Sequence, residues 1–328
     1  MIAVTGANGL LGSFIIKKLL DENVEVVGIK RKESETKLLD GYHEKITWRD
    51  SDILDTLSLE DTLKGAHCVI HAAASVSFNQ RHSKKIFSVN VEGTKNVVNI
   101  CLKLGIPRLI HISSVAALGR QKGITNLNED SKWVDNALNS DYAESKYLAE
   151  LEVFRGQEEG LSTVMINPSV IMAPADWNKS SAQVFKYVWS NKPFFTTGSL
   201  NYVDVRDVAS MAFSLCSSKI EGERIIANGG TVSYQFLFTE IAKRFNKKAP
   251  RIGIGSSVVA IASWLEEIRS IVTQSEPLFT RQSSRMACET FAYDNQKSIK
   301  TLGFQFTEFQ DTLDWCCAYY MRNVSTNK

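Results

Sequence analysis

The segment from Ile2 to Leu20 constrains the fold of this chain more than any other. An apolar run, Ile2–Thr5, passes directly into Gly6-Ala7-Asn8-Gly9-Leu10-Leu11-Gly12, after which apolar residues recur at three- and four-residue spacing to Leu20. The pattern predicts a strand, a tight glycine turn and an amphipathic helix. Glycines at such a turn let the backbone reverse sharply, approach a pyrophosphate closely and pack helix on strand. The helix start offers free N–H groups and the positive end of its dipole to negative charge. We therefore expect a dinucleotide to be bound at Gly6, Asn8, Gly9, Leu10, Leu11 and Gly12.

The rest of the first half keeps this rhythm. Further strands are expected at Val24–Ile29, Lys45–Trp48, Cys68–His71, Leu109–Ser113 and Thr163–Asn167, with a long helical pattern over Ile86–Leu104. Alternating strands and helices imply an α/β fold, a Rossmann-type doubly wound parallel sheet, and the near-continuous apolar strands suit a sheet covered on both faces. After about residue 172, helical patterns dominate: Ala182–Ser190, Val205–Ser217, Ser233–Phe245, Ser257–Ile271, Asp294–Leu302 and Glu308–Met321. Asp294 and Gly303 look like an N-cap and a C′ glycine. The expectation is a dinucleotide-binding domain over 1–171 and a smaller, mostly helical substrate lobe over 172–328, with 203–228 returning to the first domain. Strand candidates in this lobe are few and short, Arg224–Ala227 among them.

Composition narrows the class of function. Lys and Arg number 38 and Asp and Glu 36, a net charge of +2, too near neutral for a general nucleic-acid or acidic-membrane binder. The longest apolar run, Val258–Leu265, ends at Glu266 and Glu267, short of the roughly 18 residues a membrane span needs. A buried helix is the expected reading of that run. No signal peptide is read at the start. The six cysteines lack CxxC spacing, so a reduced, cytoplasmic chain is expected, in which the sequons at Asn178 and Asn323 carry no meaning. The five histidines show no HxxxH or HExxH spacing, and no metal site is expected.

Three further features carry chemistry. The second strand ends Val27-Gly28-Ile29-Lys30-Arg31 with no acid before Glu33. An acid at this place favours NAD through the ribose 2′-hydroxyl, whereas Lys30 and Arg31 suit the 2′-phosphate of NADP. Tyr142 and Lys146 stand four apart on a helical stretch capped near Asn139 or Ser140, which puts them on one face. An ammonium about 4 Å from a phenol is worth roughly three pKa units at most, enough to bring a tyrosine toward neutrality for proton transfer. Finally, Leu109–Ile112 is an apolar strand ending in Ser113 and Ser114, where a hydroxyl can bond a reacting oxygen.

Together these residues resemble the extended short-chain dehydrogenase/reductase family. In that family's order stand Thr5–Gly12, Asp52-Ile53, His71-Ala72-Ala73-Ala74, the segment Asn90 to Thr94, Ser113-Ser114, Tyr142 with Lys146, Asn167-Pro168 and the segment Tyr202 to Ala209. The likeness covers essentially the whole chain. It implies that Ser114, Tyr142 and Lys146 are catalytic, with Lys146 also holding the nicotinamide ribose. Asp52 and Ile53 would contact adenine, Ala72, Ala73 and Ala74 would line ribose and pyrophosphate, Asn90 would stand beside the active site, and Pro168, Val170 and Ile171 would border the nicotinamide. Substrate contacts are expected of Ser75, Ser77 and Phe78, and of Phe185 and Tyr202. Aromatic residues at 185, 187, 189, 194 and 195 also fit a core.

Sugar-nucleotide members of the family usually carry an arginine before the segment that is Tyr202–Asp204 here, to grip a diphosphate. This chain has Leu200-Asn201 there, and Val170 where many have asparagine. The segments Ile166–Pro174 and Tyr202–Ala209 look like the dihydroflavonol reductase-like and 3β-hydroxysteroid dehydrogenase-like members, as does the tail with Thr280-Arg281, Leu302-Gly303-Phe304 and Trp315. The resemblance implies an NADP-dependent oxidoreductase acting on a carbonyl or secondary alcohol of a small molecule. Two alternatives stay open: an NAD-dependent sugar-nucleotide epimerase or dehydratase, and a non-catalytic NADP sensor. A homodimer through the Ile86–Leu104 and Tyr142–Phe154 helices is the assembly the resemblance implies.

Overall fold

Strand and helix alternate from the first residues: β1 (Ile2–Thr5), α1 (Leu10–Asp21), β2 (Val26–Lys30), β3 (Thr47–Asp50), α2 (Thr56–Leu63), β4 (Cys68–His71), α3 (Ser83–Phe87), α4 (Gly93–Leu104) and β5 (Arg108–Ile112). There follow β6 (Asn126–Leu127), α5 (Asp141–Glu158), β7 (Ser162–Pro168), β8 (Val170–Met172), α6 (Gln183–Trp189), β9 (Phe194–Thr196), β10 (Ser199–Asp204), α7 (Val205–Cys216) and β11 (Glu223–Ala227). The chain closes with β12 (Gly230–Ser233), α8 (Tyr234–Phe245), β13 (Ile252–Ile254), β14 (Ala292–Tyr293), α9 (Gln296–Leu302) and α10 (Phe309–Ser325). The computed structural model describes residues 1–325 apart from 78, 122, 137, 178–179, 256–258 and 260–287. Phe78, Asn178, Thr280-Arg281 and, Val259 excepted, the helical pattern at 257–271 with its apolar run lie outside the described residues.

Seven strands pair in parallel in the order β11-β7-β5-β4-β1-β2-β3. The chain leaves β1 toward β2 and β3 and returns on the other side at β4, so β1 and β4 flank the point where strand order reverses, the place where open α/β sheets bind ligands. The strands read as continuous apolar runs because both faces are covered. In β1, Ile2 and Val4 pack in one core with Ile15, Ile16 and Leu19 of α1 and Val208 and Met211 of α7. Ala3 faces the other core, with Leu59 and Leu63 of α2, Val97 and Val98 of α4 and Val153 of α5.

Helix α7 and strand β11 belong to this sheet layer: α7 packs beside α1, and β11 is the edge strand against β7. Among the described residues, the remainder of the second half carries short strands beside its helices. Strand β10 pairs with β8 and β12, β9 with β13, and β6 with β14. In β10 the apolar pattern is broken by Asn201, which is buried with its amide donating to Phe291 O (2.7 Å) and its carbonyl accepting from Thr231 (2.7 Å). A buried polar residue satisfied by distant partners hides a strand from periodicity. Gly303 closes α9 in the left-handed conformation at φ +61°, and Asp294 accepts from Gln296 N at 2.9 Å, one residue ahead of the helix's N-cap Asn295.

Candidate active site

The glycine turn lies at the carboxyl end of β1, against β4. Gly6 has φ +66°, and a Cβ there would stand 2.7 Å from Ala73 Cα and N. A Cβ on Gly12 would meet Gly6 O at 2.1 Å, and one on Gly9 would meet it at 3.1 Å. No residue with a side chain could close this turn. Gly9 caps α1 without a side-chain hydrogen bond, so the first N–H groups of the helix are left for an external acceptor. Leu10 and Leu11 pack into the α1 core and hold the helix down.

A cavity of about 310 Å³ opens at this turn, lined by Gly6, Asn8, Gly9, Ile29, Lys30, Arg31, Ser51, Asp52, Ile53, Ala72, Ala73, Ala74, Ser75, Lys85 and Val89. Residues expected at a cofactor from four separate strand ends therefore share one wall. Ile29, Ser51, Lys85 and Val89 were not anticipated; the only signal for the last two was their four-residue spacing on a helical stretch. Lys30 is engaged with Asp50 (3.0 Å), whereas Arg31 is exposed and has no side-chain ion pair or hydrogen bond among the described residues. Gly93 explains how Ile53 reaches its place, since a Cβ there would lie 2.4 Å from Ile53 Cδ1. These features suit a dinucleotide: a cradle that a Cβ would fill, uncapped helix N–H groups and cationic residues on one wall.

Beyond β4 in the sheet, β5 is followed directly by Ser113 and Ser114. Ser114 caps the short turn that follows, accepting from Ala116 N at 3.2 Å, and its hydroxyl lies near enough to Tyr142 to pull the phenol's pKa down. Tyr142 lies in the first turn of α5, whose N-cap is Ser140, its Oγ accepting from Ala143 N at 2.9 Å. Lys146 follows one turn on and is 2% exposed, an extreme for this residue type. Its ammonium donates to Ile112 O at 2.8 Å and meets His111 Nε2 at 3.3 Å.

The electrostatics differ from the sequence expectation. Burial raises the Tyr142 pKa above its ordinary value and the Ser114 hydrogen bond lowers it, while Lys146 is turned toward the β5 backbone. Burial also brings Lys146 down to about 8, against an upward pull from Glu150. Beneath Lys146, His71 is held down at about 3 and His111 well below the usual imidazole range, both chiefly by burial and then by the Lys146 charge. His71 Nδ1 bonds Thr5 Oγ1 (2.7 Å) and its Nε2 bonds Thr94 Oγ1 (3.0 Å).

Asn90 sits in a single π-turn, Ser88–Glu92, between α3 and α4. Its amide donates to Ser75 O (3.0 Å) and Ser145 Oγ (2.9 Å), and its carbonyl accepts from Ser75 N (2.7 Å). It thus pins the cavity-lining Ser75 to α5. Pro168 ends β7 beside Ala227, Ile171 is half-buried and Val170 is 38% exposed. Ser77 is engaged in its own loop, facing His82 Nδ1 at 3.1 Å and accepting from Asn79 N.

Phe185 and Tyr202, expected at the substrate, are both buried. Phe185 is 1% exposed and packs on Tyr320 (4.9 Å between rings) and Phe245, while Tyr202 packs on Phe309 (4.8 Å) and over Gly229 and Gly230. Both belong to the aromatic core of the second lobe, because large apolar rings on a small lobe are needed to fill it. Among the described residues, no group of three or more His, Cys, Asp or Glu is arranged to hold a metal ion, and no helix is long and apolar enough to cross a membrane.

A doubly wound parallel sheet with a glycine cradle at its switch point defines an NAD(P)-binding Rossmann protein. The profile of the NAD dependent epimerase/dehydratase family matches residues 2–226, and the chain belongs to that family. It is 26% identical over 316 residues, 94% of this chain and 91% of the relative, to a Synechocystis protein named as a dihydroflavonol 4-reductase. It is 30% identical over 224 residues, 64% of this chain and 65% of the relative, to cinnamoyl-CoA reductase 1 of Oryza sativa. The solved structure of gox2253 superimposes with a TM-score of 0.84 at 26% identity, covering 98% of each chain. The chain is an NAD(P)-dependent enzyme of the extended short-chain dehydrogenase/reductase type.

Proposed function

We propose that this enzyme is an NADPH-dependent reductase of a ketone or aldehyde carbonyl on a small organic molecule. The observation that carries the reading is that Ser114, Tyr142 and Lys146 come together at the carboxyl end of β5, one strand from the cavity wall formed after β4. A bound nicotinamide cofactor supplies the hydride that the carbonyl carbon accepts. Ser114 donates a hydrogen bond to the carbonyl oxygen and orients it. Tyr142 gives its phenolic proton to that oxygen as negative charge builds, so that the product is the alcohol and the tyrosinate regains its proton from solvent. A pKa raised by burial keeps Tyr142 protonated at neutral pH, the state reduction requires. Lys146, fixed by Ile112 O, supplies positive charge beneath the pair.

Residues 172–328 would form the substrate side, with α7 and β11 belonging to the cofactor domain. Leu200 and Asn201, which stand where sugar-nucleotide members grip a diphosphate, are buried, and Asn201 is committed to Phe291 and Thr231. That favours a substrate without a diphosphate, and the reductase names of the two curated relatives agree.

For the cofactor, Arg31 at the cavity wall supports recognition of a 2′-phosphate, since Lys30 is engaged by Asp50. Arg31→Ala is expected to weaken NADPH binding about tenfold or more, since a charge-assisted contact is lost, and to leave NADH binding nearly unchanged. Titration of both nucleotides against the variant checks this; equal losses would remove the 2′-phosphate assignment. Thermal-shift measurements with NADPH, NADH and each plus UDP-glucose test the wider reading. A larger shift from NADPH and no increment from UDP-glucose is expected. Preference for NADH with a further shift from the sugar nucleotide would make the protein an epimerase or dehydratase.

A further inference from the structure

One turn beyond Lys146 on α5, Glu150 is 0% exposed, yet it is a carboxylate. Burying such a group is costly unless it is paired and hydrogen-bonded, and here three strands of the sheet reach it. Ser113 Oγ, at the end of β5, donates to Oε1 at 2.5 Å, and Asn167 Nδ2, on β7, donates to the same oxygen at 2.6 Å. From β11, Arg224 Nε stands 2.8 Å from Oε2, at an angle too poor for a hydrogen bond, so that this contact is electrostatic. Asn167 Nδ2 also donates to Ser114 O at 3.0 Å, which ties the same carboxylate to the backbone of the serine in the site. The carboxylate is thus clamped in position beside the Lys146 side of the helix.

Lys146 itself needs a counter-charge. Its direct partners are a carbonyl, Ile112 O, and an imidazole, His111 Nε2. The titratable and charged groups around it are His111 on β5, His71 on β4, Tyr142 and Glu150 on α5, and Arg224 on β11 beyond Glu150. Asn90, bonded to Ser145 of α5, and Thr94, bonded to His71, are uncharged. Both imidazoles are held neutral by burial, and the phenol is protonated. Glu150 is the anion of this set.

We propose that Glu150 is a positioning residue that keeps the buried Lys146 cationic at neutral pH, with Ser113, Asn167 and Arg224 fixing the carboxylate where its field reaches the ammonium. The proposal rests on the reading of Lys146 as the charged helper of Tyr142, and it predicts a sign. Removing the Glu150 charge releases the Lys146 proton at lower pH; removing the Arg224 charge, which opposes it, retains that proton to higher pH.

The test reads Lys146 directly and needs no substrate. A lysine whose folded-state pKa is about 8 lies below its unfolded value, so the unfolded chain holds the proton between the two and stability rises with pH across that window. Urea unfolding is measured from pH 6 to 10 for the full chain and for Lys146→Met, and the difference between the two curves isolates the Lys146 contribution. The same pair is then made in Glu150→Gln and in Arg224→Gln. The rise is expected to begin near pH 8 in the native background, about one pH unit lower in Glu150→Gln, and higher in Arg224→Gln. If Glu150→Gln does not fold, the upward move in Arg224→Gln carries the test. A rise that begins at one pH in every background that folds, whatever the loss of stability, would make Glu150 a structural brace only and overturn the proposal. Turnover surviving in Tyr142→Phe would instead strike the functional reading, and the two failures are separate measurements.

Discussion

At the scale of single side chains, the site works by withholding water from groups that ordinarily titrate. Lys146, His71 and His111 are buried and Tyr142 is half-buried, and burial is the first cause of each shift. Tyr142→Phe removes the transferable proton while leaving the ring to fill its space. Turnover is expected to fall about 10²- to 10⁴-fold with NADPH affinity nearly intact, which steady-state kinetics beside a binding titration would show. The two imidazoles give the folded state an acid limit. Because His71 is held at about 3 and His111 well below its usual range, the unfolded chain takes up protons first as pH falls below about 6.5. Their stabilising contribution is complete above that pH and is lost as pH falls, for His71 down to about 3, at up to about 1.4 kcal/mol per pH unit for each ring. Unfolding free energy measured between pH 7 and 4.5 should decline on this slope, and more shallowly in His71→Asn. An equal slope in the two proteins would assign the acid limit to other groups.

At the scale of turns and helices, the glycine segment is the tightest constraint. Gly12→Ala would drive a Cβ to 2.1 Å from Gly6 O, backbone that cannot yield without moving α1. Such overpacking costs about 1–3 kcal/mol or more, and the displaced helix start should lose dinucleotide binding. A melting temperature and an NADPH shift unchanged by the substitution would contradict this geometry. This turn was legible from residues 5–12 because its requirement is local: only glycine fits. The short π-turn carrying Asn90 was not legible, since its one extra residue per turn leaves the apolar spacing of Ile86–Leu104 nearly undisturbed. Yet that turn aims Asn90 at Ser75 and Ser145. Helix α5 lies between these cases. Its start was readable from Ser140, and the shared face of Tyr142 and Lys146 from their spacing, but the direction Lys146 takes was set by Ile112 O on a strand distant in sequence.

At the scale of the molecule, the segment Tyr202–Ala209 joins the two lobes. Asp204 caps α7 by accepting from Arg206 N (2.8 Å), pairs with the Arg206 guanidinium (2.6 Å) and accepts from Thr312 of α10 (2.8 Å). Asp207 accepts from Thr307 N (2.9 Å) and Oγ1 (2.7 Å), and Arg206 lies 4.1 Å over the Trp315 ring, which in turn meets Phe14 of α1 edge-on at 5.7 Å. The C-terminal helix is therefore fastened to α7, beside the seven-stranded sheet, by one short polar motif. Asp204→Ala removes a cap and leaves Thr312 unpaired, at about 1–3 kcal/mol. A lower melting temperature and faster proteolytic cleavage near α10 are expected, and unchanged cleavage would place the fastening elsewhere.

Local rules were enough to read the parallel sheet, the glycine turn, most helices of the first half and the shared helix face of Tyr142 and Lys146. Each follows from the apolar period, from the conformational needs of glycine or from the pitch of a helix, which are properties of neighbours in the chain. Where long-range packing decides, the residues were silent. Asn201 became the middle of a strand because Phe291 and Thr231 satisfy it, and Phe185 and Tyr202 became core because the second lobe needs their volume. Lys30 was drawn to Asp50, whereas Arg31 beside it on the cavity wall has no such partner among the described residues. The ionisation of Tyr142 and Lys146 likewise depends on enclosure by β4, β5 and α4, and burial is a property of the assembled fold that no stretch of sequence contains.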